Sequence, residues 1–166
     1  MDYEICVIGA GTGGYVAALR AAQLGAKVLL VERKDLGGVC LNRGCIPTKT
    51  LLKSAEKWQE LTHCEEFGVF VSEYAYDWDK IMERKNNVIF QLRSGIEKLL
   101  KANRIEVAEG TARLLGAQQV RIETDTPGDE RVITAEKIIL ATGSVPAKPP
   151  IPGSSCTGVI NSDEIL

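Results

Sequence analysis

The topology of this chain is set by ten residues near its start, Ile5-Cys6-Val7-Ile8-Gly9-Ala10-Gly11-Thr12-Gly13-Gly14. The first four are apolar, which suits a parallel strand buried on both faces. A helix-like segment from Tyr15 to Leu24 follows and stops at Gly25, and a second strand runs from Lys27 to Glu32. This order of strand, glycine-rich loop, helix and strand predicts a βαβ unit.

The loop of this unit has the pattern Gly-x-Gly-x-x-Gly at Gly9, Gly11 and Gly14, and Glu32 ends the second strand. Glycines let the backbone approach a pyrophosphate, to which the helix N-terminus offers N–H groups and a positive dipole end. Glu32 would accept hydrogen bonds from a ribose hydroxyl, and its charge disfavours a 2′-phosphate. The alternative is a plain glycine-rich turn, but the βαβ setting and Glu32 favour dinucleotide binding.

A second informative segment is Gly37-Gly38-Val39-Cys40-Leu41-Asn42-Arg43-Gly44-Cys45-Ile46-Pro47-Thr48-Lys49. Five residues of regular helix rise roughly 7.5 Å, and cysteine Cα atoms more than about 7 Å apart cannot be bridged without moving the backbone. A Cys40–Cys45 disulfide therefore needs a broken turn, which Gly44 and Pro47 could supply. Because so short a loop adds little stability, such a disulfide suits a redox role.

The alternatives for this segment are a pair of buried free thiols or half of a zinc site. A zinc site needs further Cys or His ligands at suitable spacing. The other candidate ligands in the sequence are Cys6, Cys64, Cys156 and His63, and they form no second cluster. We therefore predict no metal site.

The segment from Gly37 to Lys49 resembles the active-site disulfide motif of the flavin-dependent pyridine nucleotide–disulfide oxidoreductases. The form Gly-Gly-x-Cys-Leu-Asn-x-Gly-Cys-Ile-Pro-[Ser/Thr]-Lys is typical of members that oxidise dihydrolipoamide. Members that reduce glutathione disulfide or mercuric ion more often carry valine where Leu41 and Ile46 stand. The resemblance covers the whole chain and implies an α/β, Rossmann-like FAD/NAD(P)-binding fold, a parallel sheet with helices and a three-stranded antiparallel β-meander.

The resemblance also implies residue roles. Cys40 would be the interchange thiol and Cys45 the thiol that faces the flavin. Lys49 would lie beside the flavin ring, where its charge favours reduced, anionic flavin; the alternative is a solvated surface lysine. FAD would bind at the first dinucleotide site, with further contacts from Gly38, from the backbone of Ala112 near the adenine, and from Thr142, Gly143 and Ser144.

Periodicity and turn signals predict the remaining elements. A helix is expected from Thr48 to about Glu60 with one apolar face, and a long helix is expected from an Asp77 N-cap to about Lys101, closed by Asn103. We expect the charged residues of the long helix to form a solvated face: Glu83, Arg84, Lys85, Arg93, Glu97 and Lys98. Strands are predicted at Val69–Val71, Ile105–Glu109, Thr111–Leu115, Gln119–Thr124, Arg131–Thr134 and Ile138–Ala141, with a turn at Asp125–Gly128.

Composition limits the possible functions. The net charge of -2 gives no basic field for nucleic acid or a membrane surface. No apolar run is long enough to span a bilayer. The chain has five cysteines, an odd number, and its start lacks the features of a signal peptide. We therefore expect a cytoplasmic protein. In such a reducing compartment, a persistent disulfide is usually catalytic.

The domain prediction is an incomplete FAD-binding domain at 1–144 and a proline-rich connector at 145–166, leading toward a NAD-binding domain. No second Gly-x-Gly-x-x-Gly occurs, so we expect a fragment of a longer homodimeric protein, inactive by itself. The resemblance implies that the whole protein passes electrons from dihydrolipoamide, through the disulfide and FAD, to NAD+. Its partners would be a lipoyl-carrier protein and a 2-oxo acid dehydrogenase complex or the glycine cleavage system. Alternatives are a glutathione or mercuric reductase, or a non-catalytic flavin-binding module.

Overall fold

A computed structural model describes residues 1–126 and 128–166 of the chain. Six strands and five helices lie within these residues, together with a short 3-10 turn at Cys64–Phe67. The strands are β1 Tyr3–Ile8, β2 Val28–Glu32, β3 Glu106–Glu109, β4 Thr111–Leu114, β5 Gln119–Glu123 and β6 Glu130–Leu140. The helices are α1 Thr12–Gln23, α2 Gly38–Arg43, α3 Cys45–Thr62, α4 Trp78–Ala102 and α5 Ser162–Ile165.

The strands are ordered β3-β2-β1-β6-β5-β4. β1 pairs in parallel with β2 and with the end of β6, and β2 pairs in parallel with β3. β4, β5 and the start of β6 form an antiparallel meander. The predicted α/β fold, with a parallel sheet and a three-stranded meander, is confirmed.

One strand differs from the prediction. The segments Arg131–Thr134 and Ile138–Ala141 were expected to be separate, but they belong to the single strand β6. Its first half pairs with β5, and its second half pairs with β1 from Ala135 onward. β6 therefore joins the meander to the parallel sheet without a turn.

The parallel sheet is covered on both faces. Cys6 and Ile8 pack with meander residues such as Val120, while Val7 packs with α1 and α4 residues. The same alternation in β2 sends Leu29 and Leu30 to opposite cores. Because Cys6, Val7 and Ile8 of β1 and residues 28–31 of β2 are buried whichever face they point to, these runs are continuously apolar.

Helix α4 begins and ends as predicted. The Asp77 side chain accepts a hydrogen bond from the Lys80 N–H, and Asn103 is the C-cap. The predicted solvated face was partly wrong, because Lys85 is only 5% exposed. Its ammonium donates to the backbone carbonyl of Leu166, which satisfies a cation that would be costly to bury alone.

Two other local predictions were wrong. Residues 69–71 form no strand, and Phe70 is exposed. The expected apolar face of α3 is largely solvated: Leu52 and Trp58 are exposed, and the Trp58 ring packs edge-on against Tyr74 and Tyr76. These aromatic side chains cover one another at the surface instead of entering either core.

The chain after β6 contains no helix or strand from 141 to 161. Its proline content explains this, because proline lacks the N–H that helices and sheets need. The boundary between a domain at 1–144 and a connector at 145–166 stays a prediction. The predicted turn at Asp125–Gly128 includes Pro127, which lies outside the described residues. No helix among the described residues has the length and apolarity to cross a membrane.

Candidate functional site

The loop after β1 requires glycine at two of its three fingerprint positions. Gly9 has a φ of +100°, and a Cβ there would lie 2.3 Å from the carbonyl oxygen of Ala141. A Cβ on Gly14 would lie 1.8 Å from the carbonyl oxygen of Gly9. Both distances are far below van der Waals contact, so any side chain would force the loop apart.

The remaining fingerprint glycine, Gly11, and its neighbour Gly13 leave room for a ligand. Gly11 is the N-cap of α1 and has no side chain to bond the first N–H groups of the helix. A Cβ on Gly13 would meet no atom within 4 Å. The first-turn N–H groups of α1 therefore have no side-chain cap, and they carry the positive end of the helix dipole. This arrangement fits an anionic pyrophosphate.

Glu32 holds the loop in place. One carboxylate oxygen accepts a hydrogen bond from the Ala10 N–H at 2.6 Å. The other accepts from the N–H groups of Arg33 and Lys34 at 2.9 and 3.0 Å. An ionised carboxylate has about four acceptor positions, so one remains for a ribose hydroxyl. That ribose contact stays a prediction, whereas positioning of the loop is an additional role that the sequence did not reveal.

The cysteine segment begins directly beside this loop. The Gly37 N–H donates to the Ala10 carbonyl at 2.8 Å. A Cβ on Gly38, whose φ is +65°, would lie 2.6 Å from the Cα of Gly11. Only glycine lets the two backbones approach so closely. The predicted cofactor residue Gly38 thus lies against the fingerprint loop.

Two further segments meet at the same edge of the sheet. The Gly110 N–H donates to the Glu32 carbonyl at 2.8 Å, which places the β3–β4 junction and nearby Ala112 next to Glu32. The Ala141 N–H donates to the Ile8 carbonyl at 2.8 Å, and the exposed residues 142–144 follow. The fold therefore gathers Ala112, Thr142, Gly143 and Ser144 at the carboxyl ends of the strands, where α/β sheets bind ligands.

Cys40 and Cys45 lie on two helices that meet at a break. Gly44 ends α2 and precedes α3, with a φ of -146° and a ψ of -110°. The predicted break at Gly44 is confirmed, while Pro47 lies inside the first turn of α3, where its missing N–H is not needed. Both cysteines are thiols in this structure. Interaction with the Cys45 side chain raises the pKa of Cys40.

Lys49 is exposed and follows Cys45 by four residues on α3. Side chains at this spacing share one face of a helix. Its positive charge also reaches Cys40, where it lowers the pKa against the larger raising effect of Cys45. Lys49 therefore lies on the same face of α3 as Cys45.

Sequence reasoning missed three residues around the cysteines. Asn42, between the two cysteines, is 8% exposed, and its side-chain oxygen accepts from Arg93 of α4 at 2.6 Å. Arg93 also pairs with Asp35 at 2.8 Å. Asn42 lay within the quoted motif without a role, and Arg93 was assigned to a solvated face. The available signal was a polar residue within a short segment bounded by glycines at Gly38 and Gly44.

The other three cysteines lie outside the two helices that carry Cys40 and Cys45. Cys6 is fully buried in β1, and burial raises its pKa to about 11. The Cys64 thiol donates to the Glu60 carbonyl, and the neighbouring His63 ring contacts the Gln59 carbonyl. Cys156 is exposed in the proline-rich segment. Within 1–126 and 128–166, no three His, Cys, Asp or Glu side chains gather in a group able to hold a metal ion.

Several known proteins are similar to this chain. The family model described as pyridine nucleotide-disulphide oxidoreductase matches residues 3–166. The chain is 49% identical over 142 residues to dihydrolipoyl dehydrogenase of Zymomonas mobilis, covering 86% of this chain and 30% of that protein. The corresponding enzyme of Acholeplasma laidlawii is 46% identical over 153 residues, covering 92% and 44%.

A solved structure is also similar. It is the Cu(II) complex of the HOCl-induced flavoprotein disulfide reductase RclA from Escherichia coli, with a TM-score of 0.80 and 30% identity. The match covers 99% of this chain and 34% of that one. The chain spans between 30% and 44% of the length of the curated relatives named above.

Proposed function

The chain belongs to the pyridine nucleotide-disulphide oxidoreductase family, and we propose that the whole protein acts as a dihydrolipoyl dehydrogenase. The observation that carries the proposal is the position of Cys40 and Cys45. They lie on either side of the helix break at Gly44, and their segment packs against a loop suited to a dinucleotide. The similarity to curated enzymes of that name supports the choice of substrate.

The described residues fit FAD as the resident cofactor. The N–H groups at the start of α1 would hold the pyrophosphate, with Gly9, Gly11 and Gly14 keeping the backbone close. Glu32 would bind a ribose hydroxyl. The other contacts would come from the segments gathered around the loop, at Gly38, Lys49, Ala112, Thr142, Gly143 and Ser144. When bound, the flavin supplies the electron transfer that links the dithiol to NAD+.

The protein's own step is thiol–disulfide exchange. A thiolate of dihydrolipoamide attacks the Cys40 sulfur of a Cys40–Cys45 disulfide, forming a mixed disulfide and releasing Cys45 as a thiolate. The second thiol of dihydrolipoamide then attacks the lipoyl sulfur that is bonded to Cys40. This closes the lipoamide disulfide and releases Cys40 as a thiolate. Lipoamide leaves oxidised, and the two cysteines retain the electron pair. The positive charge of Lys49 lies close to the thiolates that form.

The proposal extends to the surroundings of the enzyme. Its substrate would be dihydrolipoamide on a lipoyl-carrier protein, within a 2-oxo acid dehydrogenase complex or the glycine cleavage system. The protein would be a cytoplasmic homodimer that uses NAD+. We propose that residues 1–166 alone lack turnover, because they contain a single dinucleotide fingerprint.

A substrate comparison tests this assignment against other activities in the family. In the complete purified protein, we expect kcat/KM for NAD+-dependent oxidation of dihydrolipoamide to exceed those for reduction of glutathione disulfide or Hg(II) by at least about 100-fold. Steady-state nicotinamide absorbance measures all three reactions. A preference for glutathione disulfide or Hg(II) would reject the assignment while leaving family membership intact.

A further inference from the structure

We infer that Arg93 is a positioning residue for the cysteine pair and acts through Asn42, an inference that rests on the proposed function. Arg93 lies on α4, 51 residues away from Asn42 in the chain. Its hydrogen bond and its ion pair go to Asn42 and Asp35, and not to either cysteine. Its role would be to fix the short helix that carries Cys40.

Helix α2 needs outside support, because it has only six residues and its N-cap, Gly37, has no side chain. Isolated helices of this length are unstable in water. Asn42 supplies one attachment: its side-chain N–H groups donate to the carbonyls of Leu36 and Gly38, each at 2.9 Å. These bonds tie the C-terminal end of α2 to its first residue, Gly38, and to Leu36 just before the helix.

The remaining polar atom of the Asn42 side chain depends on Arg93. The amide donates both of its hydrogen bonds to backbone, so its oxygen needs a donor from elsewhere. Arg93 Nη2 provides that donor at 2.6 Å, and Asn42 is only 8% exposed. Removing the guanidinium would leave this oxygen without its partner in a largely buried position, which is costly.

Asp35 sets the direction of the guanidinium. Its carboxylate pairs with Arg93 Nη1 at 2.8 Å, while Nη2 of the same fork reaches Asn42. A planar guanidinium engaged at two nitrogens has little freedom to turn. Asp35 therefore helps to aim the guanidinium that bonds Asn42 of α2.

The consequence concerns the two sulfur atoms. A disulfide requires cysteine Cα atoms about 4.4–6.8 Å apart, and here the two cysteines lie on separate helices that meet at Gly44. If α2 moves relative to α3, each thiol meets the other less often. The network should therefore raise the effective concentration of one thiol at the other and favour the disulfide.

The experiment measures the balance of the reaction in which the protein dithiol and oxidised glutathione give the protein disulfide and two molecules of reduced glutathione. The complete protein is equilibrated in glutathione buffers, quenched, and quantified by mass spectrometry of the Cys40 and Cys45 peptides. Variants are Arg93→Met, Asp35→Asn, the double variant and Arg93→Lys. Lys98→Met is the matched control, because it removes an exposed positive charge from the same helix. A thermal melt of each variant reports folding.

We expect Arg93→Met to lower the equilibrium constant for disulfide formation by about tenfold, within the range of hydrogen-bond networks. Asp35→Asn should lower it by about threefold and add nothing in the Arg93→Met background. The equilibrium constant of Arg93→Lys should lie between those of wild type and Arg93→Met, since one ammonium group cannot reproduce the two-pronged contact of a guanidinium. If Arg93→Met fails to fold, Asp35→Asn provides the test.

Unchanged equilibria in folded Arg93→Met and Asp35→Asn variants would overturn the inference, as would an equal shift in Lys98→Met. These outcomes leave the proposed function standing. A wild-type protein that forms no Cys40–Cys45 disulfide in any buffer would instead reject the proposed function itself.

Discussion

We expect that replacing Cys40 or Cys45 with serine will lower the turnover of dihydrolipoamide by at least about 10³-fold in the complete protein. A hydroxyl cannot form the disulfide that accepts the electron pair, so either substitution removes the whole exchange sequence. The effect should appear in kcat, measured as NAD+ reduction at saturating dihydrolipoamide. Bound flavin should remain, because neither side chain supports the fingerprint loop.

Cys156→Ser is the matched control for this experiment. Cys156 is exposed and lies in the proline-rich segment, outside the two helices that carry Cys40 and Cys45. Its replacement should leave kcat within about twofold of wild type, since surface substitutions usually have small effects. Near-normal turnover in Cys40→Ser or Cys45→Ser would contradict the roles assigned to the pair.

Gly14→Ala should abolish retention of FAD. The new methyl group would lie 1.8 Å from the carbonyl oxygen of Gly9, so the loop must open and α1 must shift. Overpacking of this kind typically costs about 1–3 kcal/mol or more. Flavin absorbance after gel filtration measures the loss, and a thermal melt reports the stability of the variant.

The same substitution at Gly95 provides the control. Gly95 lies within α4, and a Cβ there would meet no atom within 4 Å. Gly95→Ala should keep FAD and stabilise the protein by about 0.5–1 kcal/mol, because glycine is unfavourable inside a helix. A Gly14→Ala protein that keeps its flavin would refute the claim that this backbone contact shapes the cofactor loop.

The parts of the fold that could be predicted from the sequence are those fixed by local rules. Strands β1 and β2 follow from apolar runs, and the ends of α4 follow from the Asp77 cap and Asn103. The break between the cysteine helices follows from Gly44. Each of these features depends on residues that lie near one another in the chain.

The parts that could not be predicted depend on distant partners. The two expected strands form the single strand β6 because β6 pairs first with β5 and then with β1. This pairing is a property of the assembled sheet. A charged residue on a periodic helix normally predicts a solvated face, yet Lys85 and Arg93 turn toward other segments. Periodicity identifies a face but not the elements that cover it.

The candidate site shows the same division. The glycine fingerprint, Glu32 and the cysteine motif were visible in the sequence, and the fold brings their segments to one edge of the sheet. The bond from Glu32 to the Ala10 N–H was not predictable. A carboxylate accepts hydrogen bonds equally well from a ribose hydroxyl and from a backbone N–H. The sequence therefore could not show that Glu32 also bonds the loop backbone.

The most direct test of the redox assignment is peptide mapping of the complete protein, purified with bound FAD, before and after one equivalent of dihydrolipoamide. Trypsin cleaves after Lys34, Arg43 and Lys49, so the cysteines fall on separate peptides, 35–43 and 44–49. We expect these peptides to be linked by a disulfide before the addition and to separate as two thiols after it, with lipoamide produced in equal amount. Peptides that are unlinked from the start, or a link that survives the dithiol, would contradict the assignment of Cys40 and Cys45 as the redox pair.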